Sequence, residues 1–111
     1  MEQDHSQQSW YPFVAHAELL VENSDVCLIA HVTELSRQGC HLHLTDGAPT
    51  GTSVVVKIYA WPHFFQARGT ICYSEHRIGV GVNFEKIESE YASVLEACLI
   101  EAEAQQRKSN G

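Results

Sequence analysis

Cationic side chains are scarce in this chain. Seven Lys and Arg face fourteen Asp and Glu, a net charge of −7. Phosphate neutralisation needs clustered Lys and Arg, so a nucleic-acid partner is excluded. No apolar run approaches the roughly 18 residues that cross a bilayer, so membrane insertion is not expected. Four cysteines, Cys27, Cys40, Cys72 and Cys98, include no C-x-x-C pair. The opening Met1–His5 is acidic and polar, unlike a signal peptide. A cytoplasmic location without disulfides is therefore expected, and all four cysteines read as small buried hydrophobes. No G-x-S-x-G, H-E-x-x-H or P-loop motif is present, and no spacing links Ser, His and an acid into a triad. Gly79-Val80-Gly81 falls in a strand-like run and does not cradle phosphate. The chain does not read as an enzyme, and no cofactor is expected.

What is present is patterned. With 111 residues and 44% hydrophobic content, the chain suits one domain with its own core. Residues 1–9 are polar and read as a flexible arm. Phe13–Val21 alternates, with Phe13, Ala15, Ala17 and Leu19 on one face. Glu22–Asp25 is a turn signal, and Val26–Leu35 is a second strand. After the turn Ser36–Gly39, Cys40, Leu42 and Leu44 alternate with His41 and His43. Ser53–Ala60 is a branched, buried run. Phe64–Tyr73 and Ile78–Phe84 make a last pair. The period then changes. Tyr91, Val94, Leu95, Cys98, Leu99 and Ala102 recur at helical spacing, with Ser89 as N-cap and Glu90 in the first turn. A mostly β fold follows: a six-stranded antiparallel barrel over about 11–87, one C-terminal helix over about 89–106, and a frayed tail over 107–111. Periodicity equally allows an OB-like or another small barrel.

Charge is uneven. Residues 88–106 carry five acids and no base, so the acidic face belongs mainly to the helix. It is a solvated helix face, or a surface that attracts a basic partner.

Between the second and third strands lies Glu34-Leu35-Ser36-Arg37-Gln38-Gly39. An acid, a Ser two positions on and a Gly three beyond that make a tight polar junction. This resembles the D/N-x-S-x-x-G motif of the PilZ domain family, bacterial receptor modules for cyclic di-GMP. Trp10-Tyr11-Pro12-Phe13, Ala67–Ser74 and Gly79–Phe84 are similar to the family as well, and the resemblance spans residues 10 to 100. It implies a single PilZ-like barrel-and-helix domain over 10–106, a bacterial cytoplasmic setting, and cyclic di-GMP as ligand. It also assigns Glu34, Ser36 and Gly39 to a ligand site, to which Arg37 and Trp10 are added as candidate members if cyclic di-GMP binding is retained.

One departure stands out. The family's R-x-x-x-R motif ahead of the first strand falls on Ser6 and Trp10. Guanidinium is permanently charged and bidentate, and suits phosphate oxygens and the guanine O6/N7 edge. A hydroxyl and an indole N–H do not replace it. Losing two charge-assisted clamps of about 1.5–3 kcal/mol each weakens binding by hundreds-fold or more. Two readings follow. The first is a non-catalytic PilZ-type adaptor with weak or lost cyclic di-GMP binding that acts through a protein partner. The second is a working cyclic di-GMP receptor with a variant site.

Each candidate site also has a plainer reading. Glu34, Ser36 and Gly39 present a carboxylate and a hydroxyl to a ligand, or form a turn bonded to itself. Arg37 replaces part of the missing arm, or is a solvated surface arginine. Trp61, Phe64 and Phe65 form a partner patch, or anchor the core. His41 and His43 share one strand face and are candidate metal ligands, or a plain surface pair.

Overall fold

A computed structural model describes residues 9–44 and 47–110. Six strands precede one helix: β1 (Tyr11–Val21), β2 (Cys27–Leu35), β3 (Gly39–His43), β4 (Ser53–Ala60), β5 (His63–Glu75), β6 (Gly79–Lys86) and α1 (Ser89–Asn110). The strands close into a barrel in the order β1-β2-β3-β6-β5-β4, and every pairing is antiparallel. Closure leaves no unpaired edge.

Alternation places the core. Leu19, Val32, Leu42, Val54, Val56, Ile58, Phe65, Ile71 and Val80 have no exposed surface. α1 packs on β1 and β5. It buries Leu95, Cys98, Leu99 and Ala102, the stripe its period requires. Among the described residues, no helix is long and apolar enough to cross a membrane.

Several expectations shift. β1 starts at Tyr11 and takes in Pro12, which lies where the β1–β2 register slips. A bulge tolerates a residue with no N–H to give the ladder. The helix begins one residue past its cap, because the carbonyl of Glu88 accepts from the N–H groups of Tyr91 and Ala92. Glu88, not Ser89, is thus the N-cap residue. The helix runs through Asn110, beyond the 106 expected. The proposed arm lies outside the described residues except for Ser9, and Ser6 lies outside them with it.

The cysteines divide. Cys40 and Cys98 are buried as expected, whereas Cys27 and Cys72 are exposed. Cys27 starts β2 on its outer side. Cys72 faces out beside a register slip in β5.

Candidate functional site

The motif turn is built around Ser36. Its side chain is fully buried. Its hydroxyl accepts from the N–H groups of Gln38 and Gly39, at 3.2 and 3.1 Å, and donates to the Gly39 carbonyl at 3.3 Å. The Ser36 N–H donates to the same carbonyl at 2.9 Å. The hydroxyl therefore holds the turn. Gly39 is needed for closeness: a Cβ there would stand 2.1 Å from the Val82 carbonyl oxygen.

Arg37 points from this turn to the helix. Its Nε and Nη2 donate to the two carboxylate oxygens of Glu96, at 2.7 and 2.8 Å. These bonds raise the guanidinium's pKa and lower that of the Glu96 carboxyl. Both side chains stay solvent-exposed. The arginine nearest the motif is thus paired internally, a use that a partner 59 residues away in the chain keeps out of sight in the sequence.

Two bulges shape the outer wall. Strict alternation from Val32 would turn Glu34 inward, and from Ile71 would turn Tyr73 inward. The β2–β3 register slips between Val32 and Glu34, and the β5–β6 register between Ile71 and Tyr73. Each bulge turns its residue out. Glu34 stands opposite His41, His41 opposite Gly81, and Gly81 opposite Tyr73. One row thus crosses β2, β3, β6 and β5. Gly81 leaves the gap in it: an added Cβ would lie 2.2 Å from Tyr73 Cε2. The Tyr73 ring crosses this gap, and its Oη reaches His41 Nδ1 at 2.8 Å. Partial burial foremost, and then neighbouring acidic groups, raises the phenol's pKa. Trp10, Glu34 and Tyr73 line a hollow of about 320 Å³ over this row. Among the described residues, its lining holds one carboxylate and no cation. Sequence reading missed Tyr73, because its outward aim depends on a bulge.

A second face surrounds Trp61, which is 93% exposed. Tyr59 stacks on Phe64 at 6.0 Å, and Phe64 meets Tyr91 of α1 at 5.6 Å between ring centroids. Tyr59 donates to Glu18 at 3.0 Å, a bond that raises the phenol's pKa. Val14, Trp61, His63, Ala97 and Glu101 help to line a cleft of about 350 Å³ between barrel and helix. Phe65 does not belong to this face. It is fully buried, because neighbours on a strand point to opposite sides and Phe64 takes the outer one.

His41 and His43 share the outer side of β3, but His41 is bonded to Tyr73. Among the described residues, no group of three or more His, Cys, Asp or Glu is placed to hold a metal ion.

No protein-family model and no curated protein sequence matches the chain. Solved structures do. The PilZ domain of CeSA from a cellulose-synthesizing bacterium superposes with a TM-score of 0.69 at 11% identity, over 86% of this chain and 98% of that one. The chain has a PilZ fold. The Bacillus subtilis inhibitor of motility, MotI/DgrA, superposes with a TM-score of 0.73 at 13% identity over 97% of this chain. The PilZ-like chain spans 53% of that protein's length. The barrel and C-terminal helix expected from the sequence are therefore the architecture found, and the OB-like alternative falls away.

Proposed function

We propose that this chain is a non-catalytic PilZ-type signalling adaptor with weak or lost cyclic di-GMP binding, acting in the bacterial cytoplasm through a protein partner. The observation that carries this reading is the Arg37–Glu96 pair. Trp10 replaces one arginine of the missing clamp and Ser6 the other. Arg37, the nearest substitute, is held by the helix. The hollow beside Glu34 has a carboxylate where a dianionic ligand needs cations.

The partner face is the cleft beside Trp61. An almost fully exposed indole beside a cleft of mixed apolar and polar lining is a surface that binding would cover. Glu101 is part of its lining, and residues 88–106 bring five acids and no base. The complementary partner is a protein segment that carries both apolar and cationic side chains.

One observation favours the variant-receptor reading. The two bulges bring Glu34 and Tyr73 outward beside Trp10, so a base could stack on an aromatic ring while the carboxylate accepts from its N–H groups. Isothermal titration with cyclic di-GMP, using cyclic di-AMP and GTP as controls, separates the two. The adaptor reading expects no saturable binding at high micromolar ligand. Saturable binding at micromolar or tighter would overturn it. Under the adaptor reading, the doubly substituted Ser6→Arg, Trp10→Arg protein should gain affinity by hundreds-fold.

A further inference from the structure

Register places a second row on the barrel's outer wall. Phe64 stands opposite Tyr59, Tyr59 opposite His16, His16 opposite His31, and His31 opposite His43. Three consecutive members, on β1, β2 and β3, are histidines, and all three are exposed. The His16 and His31 rings stand side by side, with centroids 5.3 Å apart and planes at 49°.

That spacing has a chemical meaning. An imidazole nitrogen binds zinc at about 2.0–2.1 Å, which puts the ring centroid about 3.2 Å from the ion. Two such rings at a tetrahedral angle have centroids about 5.2 Å apart. The free side chains already stand at the separation of a bound pair. Both belong to a closed barrel, so their backbones are fixed before any ion arrives. Neither ring has a side-chain hydrogen bond among the described residues, unlike His41.

We propose that His16 and His31 form a two-imidazole site for a zinc-class divalent transition-metal ion. The remaining coordination positions are open, since no third ligand is placed among the described residues. His43 flanks His31 on the far side and plays a lesser part. His16 also lines the cleft beside Trp61, so a bound ion stands at its edge, with positions free for water or a partner's side chain. The site does not depend on cyclic di-GMP binding or on the adaptor reading.

The test is titration of the full chain with zinc chloride by calorimetry, with magnesium chloride as a hard-cation control. One zinc should bind with micromolar affinity, reversibly on adding EDTA, and magnesium should not bind. Zinc should shift the His16 and His31 ring resonances in NMR spectra before those of His63 or His76. His16→Ala and His31→Ala should each weaken zinc at least tenfold, whereas His76→Ala should leave it unchanged. His43→Ala should cost less than threefold. Absence of zinc binding, equal loss in His76→Ala, or ring shifts led by another histidine would overturn the site. All these side chains are exposed, so the variants are expected to fold, and thermal melting checks that they do.

Discussion

Tyr73 lies across the bare backbone of Gly81 and brings its Oη to 2.8 Å from Nδ1 of His41. The contact joins β5 to β3 over the intervening β6, in line with Glu34 on β2. It fills the middle of the outer wall under the hollow of Trp10, Glu34 and Tyr73.

Gly81→Ala should expel the Tyr73 ring, because the new Cβ would stand 2.2 Å from its Cε2. The ring is near the surface and can swing out, so the cost should be about 1–3 kcal/mol rather than loss of the fold. Denaturant melts measure that cost. The ring resonances of His41 should move in both Gly81→Ala and Tyr73→Phe. An unmoved His41 signal in both would show that the contact is not made in solution.

The Arg37–Glu96 pair carries a pH signature. Hydrogen bonding from Arg37 lowers the Glu96 pKa in the folded chain. Its contribution is therefore fully present above the ordinary glutamate value, about 4.3, and is lost as pH falls through the lower folded value. The Tm of the wild type should exceed that of Glu96→Gln by a small, constant amount from neutral pH to about pH 5, and the gap should close in stronger acid. It should also shrink in high salt, since both groups face solvent. A gap that widens in acid would contradict the pairing.

The adjacent aromatics should behave oppositely. Phe65→Ala removes a fully buried ring and should cost about 3–5 kcal/mol. Phe64→Ala loses only a half-exposed ring between Tyr59 and Tyr91 and should cost clearly less. Trp61→Ala should change stability by no more than about 0.5 kcal/mol. Urea titration of the three variants ranks them. A large loss for Trp61→Ala would assign it to packing instead of recognition.

Thiol chemistry reads the cysteine burial directly. Cys27 and Cys72 are exposed and should react promptly with a thiol reagent in the folded protein. Burial raises the pKa of the Cys40 and Cys98 thiols, so they should stay protonated and react only after unfolding. Two prompt equivalents of four, with mass spectrometry placing them on Cys27 and Cys72, is the expected result.

Much of this architecture is legible in the chain itself. Alternation along Ala15, Ala17 and Leu19, along Leu42 and Leu44, and along Val54, Val56 and Ile58 marks strands with one buried side. The change to helical spacing after Ser89 marks the helix, because each period fixes which side chains share a face. The turn at Ser36 is legible too, since a hydroxyl two or three residues ahead of free N–H groups satisfies them locally.

Tertiary structure decided the rest. An extra residue at a bulge reverses the inside and outside of everything beyond it, so Glu34 and Tyr73 became neighbours on the outer wall only once the strands had paired. Register chose Phe64 for the surface and Phe65 for the core, and set His16 against His31 across two strands. Arg37 found Glu96 only when the helix folded back beside the β2–β3 turn. The difference is one of range: periodicity and turn chemistry act over a few residues and are written in the order of the chain, whereas bulges, pairing register and helix docking depend on contacts between segments far apart in it.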